Sequence, residues 1–424
     1  MAARLLFGTT ASVLFLNVLL QQPTRYMSLA MSVIPAILLM RTQFYFSSLI
    51  VIFTAGLLLW WAVLPSEVWN LWGNGVRLVL MIATTFYWAI SWFNTGQYSS
   101  NMHALEFSLV ALGIYLLGGY RSALAAGLLG LGACTVLVAF GAFPYGDRLG
   151  LVRIHSMSFG NPITLGLSAG LIFLLCVAER GRWIGLDSFP TIRFFVSLVS
   201  AAILILSTSR GSWLMAVVGI LIVFAIGREY RSSTIRVVLF VPVMAAVMAL
   251  STGRGDAVTK FYNKVASPDT SLGQKTTGRF NQWQRFPAAF AGSPLWGYGG
   301  GSGASIYHDV GGTQLQWHSL YLQLLVETGL VGFLTFMFAL TAIGQRTREH
   351  RRTTGEIVPL LAVVCYLTIG MSVSAFDGIS GVYLGLALIG GNSHGFWRVT
   401  QVVLRCEDAI AAPELLCERP ETKV

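Results

Sequence analysis

Three arginines and a histidine are the residues in this chain best suited to chemistry. Arg210 sits in Ser207-Thr208-Ser209-Arg210-Gly211-Ser212, which interrupts the apolar run from Phe194 to Phe224. A guanidinium at the edge of such a run is costly unless it is paired or hydrated. The flanking hydroxyls and glycine suit a phosphate contact; an arginine snorkelling to lipid headgroups is the plain alternative. Arg279 and Arg285 lie six residues apart, which on a helix sets them about 120° from each other. Their planar donor forks match phosphate oxygens and stay charged at any relevant pH. Their aromatic neighbours Phe280, Trp283 and Phe286 equally fit a helix lying among lipid headgroups.

His318 precedes Leu320-Tyr321-Leu322-Gln323-Leu324-Leu325 and is therefore expected at a helix N-terminus. That end of the helix dipole disfavours the imidazolium, and a neutral imidazole is what a general base requires. A satisfied interfacial histidine is the competing reading. His308, in the glycine-rich stretch before it, is a weaker rival. His155, beside Arg148 and Arg153, is a candidate supporting residue. Asp377 either orients an arginine or caps a helix. The chain has no phosphate-cradling Walker loop, no dinucleotide glycine pattern, no glycosidase-like carboxylate pair and no metal-ligand spacing. No cofactor and no metal are expected, so arginines would have to carry any anionic leaving-group charge.

These residues must be positioned by an apolar scaffold. Of 424 residues 55% are hydrophobic and only 11% charged, against about 25% charged in soluble domains. The expected fold is all-α, a polytopic membrane protein. Apolar segments fall at about 5–20, 26–40, 44–64, 76–94, 103–119, 122–143, 161–178, 191–208, 213–227, 235–251, 319–343, 357–376 and 379–397. Two of the first three are expected to cross, which gives about 12 transmembrane helices. Pro162 is well placed to start its helix. The chain divides into transmembrane helices over 1–251, a long polar loop with the catalytic motifs over 252–318, the last three spans over 319–398 and a cytoplasmic tail over 399–424.

The basic clusters Arg180/Arg182, Arg228/Arg231/Arg236 and Arg346/Arg348/Arg351/Arg352 flank short connections, which stay in the cytoplasm. Alternation then puts 144–160, 207–212, 252–318 and the turn at Asp377-Gly378 together on the outer face. The formal net charge is +10, but the basic residues flank apolar runs and are not interleaved with aromatics on a helix, so nucleic acid is not a partner. The surplus of arginine and lysine in 252–318 instead calls for an anionic ligand. Cys134, Cys176 and Cys365 lie inside apolar runs as small core residues, and no disulfide is expected.

The order of short motifs resembles a known superfamily. It runs Arg153-x6-Gly160-Asn161-Pro162, then Ser209-Arg210-Gly211, then Gly278-Arg279-x3-Trp283. Pro294-x2-Gly297-x-Gly299 follows, and last His318-x2-Tyr321-Leu322-x2-Leu325-x-Glu327-x-Gly329-Leu330-x-Gly332. This looks like the O-antigen ligase superfamily, which includes WaaL-type ligases and Wzy-type O-antigen polymerases. The resemblance implies a GT-C-like glycosyltransferase of the Gram-negative inner membrane, with one large periplasmic loop and the active site facing the periplasm. It implies an undecaprenyl-diphosphate-linked glycan as donor, lipid A–core oligosaccharide as the ligase acceptor, membrane lipids around it, and no metal. Matched by position, His318 corresponds to the family histidine, and Arg210 and Arg279 to its diphosphate arginines, with Arg285 and Arg153 beside them. Ser319 stands where the family carries an asparagine. A polymerase would use the same residues with a carrier-linked acceptor. A transporter would instead bury cations at mid-membrane.

Overall fold

The computed structural model describes residues 107, 110–111, 114–115, 121–139, 162–207, 209–227, 231–251, 279–312, 317–373 and 378–390. Arg153, His155 and Asp377, the tail, and the apolar segments before residue 103 lie outside them. The described residues are helical, with no strand among them. The apolar runs become α1 (Arg121–Ala139), α2 (Pro162–Val177), α3 (Pro190–Leu206), α4 (Arg210–Ile226) and α5 (Arg231–Ser251). The polar interval contributes α6 (Arg279–Ala291) and α7 (Gly303–Asp309), and the C-terminal part α8 (Leu320–Thr354), α9 (Val358–Gly370) and α10 (Gly378–Ile389). Pro162 does open α2, where its missing N–H costs nothing.

The centre of the bundle is α2. It packs against α1, α3, α4 and α10, and α9 packs against α4, α8 and α10. Leu165, Leu167, Leu171, Ile172 and Leu174 are all buried there, in keeping with an apolar helix surrounded by others. Cys176 and Cys365 are buried, free thiols of this core. In contrast α5 leans mainly on α3 and exposes Leu239, Phe240, Val243 and Val247. Such an exposed apolar face is expected to meet lipid or another apolar surface. Among the described residues, Ile163–Ile184 and Leu320–Thr354 are long and apolar enough to cross a membrane. α3, α4, α9 and α10 are shorter apolar helices.

The two ends of the bundle differ in chemistry. At one end a 3-10 segment, Ala178–Ile184, carries Arg180 and Arg182. Here the carboxylate of Glu179 accepts the N–H groups of Ile357 (2.5 Å) and Val358 (3.0 Å) and caps the start of α9. Trp183 donates its indole N–H to the other oxygen at 2.7 Å. His350 and Glu356 meet at 3.1 Å beside them. The basic stretches 180–182 and 346–352 therefore share one end, as the alternation of short basic connections requires. At the opposite end the Ser207–Ser212 hairpin, the start of α2, the start of α8 and the turn after α9 converge. Ser212 donates to Ile163 O (3.3 Å), and Leu320 N–H donates to Val373 O (2.9 Å).

The span expected at 319–343 is not one continuous helix. Gly329 has φ 65° and ψ −169° inside α8, a left-handed conformation that favours glycine. Two helical turns, Leu320–Thr328, precede the break. Of the 25-residue remainder, the apolar part 330–344 reaches about 22 Å at 1.5 Å per residue and the polar rest extends the helix beyond it.

Candidate active site

The polar interval folds into a small unit with its own core. Trp317, Tyr307, Ala289 and Val326 are buried together, with Phe286, Ile306, Val310 and Leu322 packed around them. Trp317 is fully buried. Its ring meets Tyr307 edge-on at 4.8 Å between centroids and Phe286 at 6.2 Å. Its indole N–H donates to Gly303 O at 2.9 Å. A buried indole needs such a partner.

Helix α6 explains where the two arginines go. Gln282, Phe286 and Ala289 form a stripe at i, i+4 and i+7, with Gln282 and Ala289 buried and Phe286 packed against Trp317. Arg279, one turn before Gln282, extends this stripe and acts electrostatically on His318. Arg285 points elsewhere: its Nη1 donates to Val310 O at 2.7 Å, at the end of α7. The angular separation read from the sequence thus becomes two different sets of neighbours. The Arg279 charge acts on the imidazole, and Arg285 ties α6 to α7.

His318 is held by its backbone. Its N–H donates to the side-chain oxygen of buried Gln282 at 2.9 Å. The next residue, Ser319, is extended and opens α8, and its hydroxyl reaches Gly370 O at 3.4 Å. The imidazole is half-buried. Burial first, and the Arg279 charge second, hold its pKa below histidine's ordinary 6.5. The ring is therefore neutral near pH 7 and able to accept a proton. His308, the weaker rival, is exposed at the last turn of α7.

Arg210 begins α4 on the same end of the molecule. Gly211 lies so close to Ser372 that a Cβ there would collide with the Ser372 hydroxyl. The turn Gly370–Val373 is therefore flanked by the Arg210 hairpin on one side and by Ser319 and Leu320 on the other. The neighbouring serines, whose hydroxyls suited a phosphate contact among other readings, are taken up within the fold. Ser207, Ser209 and Ser212 are buried. Ser207 donates to Leu204 O at 2.7 Å, and Ser209 and Ser212 bond each other at 2.8 Å. A hairpin wedged against α2 must satisfy its polar groups internally, so these hydroxyls are structural.

Sequence reasoning assigned no role to Gln282 or to Glu327. Glu327 is 1% exposed. Its Oε1 accepts Gly303 N–H and the Gln323 side-chain N–H, both at 3.1 Å. A lone acid in an apolar helix is a visible signal, because burying it uncompensated is expensive. Gln282 had no such signal, since its role depends on which face of α6 is buried. Among the described residues no group of His, Cys, Asp and Glu is arranged to hold a metal ion.

The segment 195–337, from α3 into α8, matches the family model described as O-Antigen ligase. No curated protein matches the chain. The family match and the apolar helices together point to an integral membrane protein.

Proposed function

We propose, from the chain's assignment to the O-antigen ligase family, that it transfers a glycan from undecaprenyl diphosphate to lipid A–core oligosaccharide. The reaction takes place at the periplasmic face of the inner membrane. His318 takes the proton from an acceptor sugar hydroxyl. That oxygen attacks the anomeric carbon and inverts it. The bond from this carbon to the diphosphate oxygen breaks, and the electron pair leaves with the carrier diphosphate. Arg210 and Arg279 hold the diphosphate and stabilise it as it departs. Arg285 has one N–H committed to Val310, so it serves first as a brace. Arg153, His155 and Asp377 complete the set from outside the described residues. The arginines replace a metal in this scheme.

One observation carries the reading. A neutral imidazole, pinned through its backbone to Gln282, lies within electrostatic reach of the Arg279 cation, at the end of the bundle that holds the Arg210 hairpin. A base and anion-binding groups are what transfer from a diphosphate donor needs.

The test is a reconstituted assay with purified protein, carrier-diphosphate glycan and lipid A–core, run with and without chelator. Glycan on lipid A–core, insensitive to chelator, is the expected result. Glycan lengthening only on the carrier would make the protein a polymerase using the same residues. No transfer to either acceptor by folded protein would overturn the reading.

A further inference from the structure

The glycine-rich segment before α7 is bonded to the break in α8 along both strands of the chain. Tyr298 and Gly299 donate their N–H groups to Val326 O (3.0 Å) and Glu327 O (2.9 Å). In return Leu330 and Val331 donate to Pro294 O (2.8 Å) and Leu295 O (3.2 Å). The break at Gly329 is what frees these groups, since a continuous helix would use them internally. Neither Gly297 nor Gly329 has room for a side chain, because a Cβ on either would strike the opposing backbone. The Glu327 carboxylate adds the inner fastening, through Gly303 N–H. The Gly303 carbonyl in turn receives the Trp317 indole N–H. His318 is the next residue.

We infer that Glu327 is a positioning residue of the site, resting on the reading of His318 proposed above. Its carboxylate fixes Gly303, Gly303 fixes Trp317, and Trp317 sets the place of His318, the next residue. Glu327 touches neither substrate nor the reacting atoms. It is buried, and its Oε1 is committed to Gly303 and Gln323. Its work is done by accepting hydrogen bonds, which a neutral amide oxygen at the same place also does.

The test uses the full chain in lipid nanodiscs with two readouts. The first is kcat and KM for glycan transfer. The second, independent of any transfer, is amide hydrogen exchange over 297–303 and 317–319. Glu327→Ala should lower kcat about 10²-fold, the order expected when a catalytic group is displaced by about 1 Å. KM should change little, and exchange at Gly299–Gly303 should rise. Glu327→Gln should restore both toward wild type. Gly303→Ala is the second variant. Its methyl would sit 2.6 Å from Glu327 Oε1 and 3.1 Å from Trp317 Cδ1, so it should reproduce the alanine phenotype with the acid retained.

Two results would overturn the inference. One is wild-type exchange in both Glu327→Ala and Gly303→Ala. The other is a Glu327→Gln protein as inactive as Glu327→Ala but with wild-type exchange, which would make the acid's proton the working element. If the wild-type protein transfers no glycan, the function reading fails while the exchange arm still decides the clamp.

Discussion

Two buried glutamates hold opposite ends of this bundle, and they do it differently. Glu179 caps a regular helix: its acceptors are filled by Ile357, Val358 and Trp183. Its surroundings are ionic, with Glu356, His350 and Arg182 close by. Of a helix start Glu327 meets one N–H, that of Gly303 opening the seven-residue α7. It fastens a glycine segment to a helix that has been broken to receive it. The first arrangement secures the bundle. The second joins two backbones, and its other contacts lead to His318. On the proposed reading stability and chemistry lie at different ends, and substitutions should separate them.

The largest effect belongs to His318. His318→Ala should cost about 10²–10⁴ in transfer rate, the usual contribution of a positioned base. Stability should hardly change, because the link to Gln282 uses the backbone N–H. Rate measurement beside a thermal melt checks this. A variant with near wild-type rate and a normal melt would remove His318 from the mechanism.

Arg279→Gln should come next. Losing a donor that stabilises leaving-group charge costs about 10²–10³ in rate. It also carries a pH signature. The His318 pKa lies below 6.5 because of burial and then Arg279. Activity needs the neutral ring, so the rate falls as pH drops through that lowered value. Without the Arg279 charge the value rises toward 6.5 while burial still holds it below. The acid limb of the residual activity therefore moves to higher pH. An unmoved limb would mean that some other group titrates there.

At the other end, Glu179→Ala should act on stability. It orphans two backbone donors and the Trp183 indole, at about 1–3 kcal/mol for each group left buried and unpaired. The melt should drop clearly, while the pH profile of whatever folded protein remains stays that of the wild type. A changed acid limb in this variant would mean that the two ends are coupled through α9.

This division of labour was only partly legible in the sequence. Among the described residues the helices largely were, because apolar runs mark where they lie: α3, expected at 191–208, is Pro190–Leu206, but α8 runs on through its polar end to Thr354, eleven residues past the expected 343, and α9 stops at Gly370, six short of 376. Arg279 and His318 stood out because cations and imidazoles are rare in such a chain. The pairing of 294–299 with 326–331 was not readable. It consists of backbone hydrogen bonds, which no side-chain pattern encodes. Only two traces of it were visible, an acid inside an apolar helix and glycines at 297 and 329. The serines of 207–212 were ambiguous for a related reason. A hydroxyl that satisfies a buried turn looks the same in sequence as one offered to phosphate.

The smallest expected effect tests how finely the site end is built. Gln282 is buried, and its side-chain oxygen receives the His318 N–H. That bond is to the His318 backbone and not to the imidazole. Gln282→Ala removes one neutral hydrogen bond, worth about 0.5–1.5 kcal/mol. If all of that appeared in the barrier, the rate would fall up to about tenfold. The imidazole keeps its burial and its Arg279 neighbour, so the acid limb should stay where it is. Gln282→Glu keeps the acceptor and should recover the rate if geometry is what matters. It also adds a charge one turn from Arg279, which would raise the His318 pKa and shift the limb upward. A rate recovered with a shifted limb would separate position from charge within the same residue. A rate lost in both variants would mean that the amide itself contacts substrate.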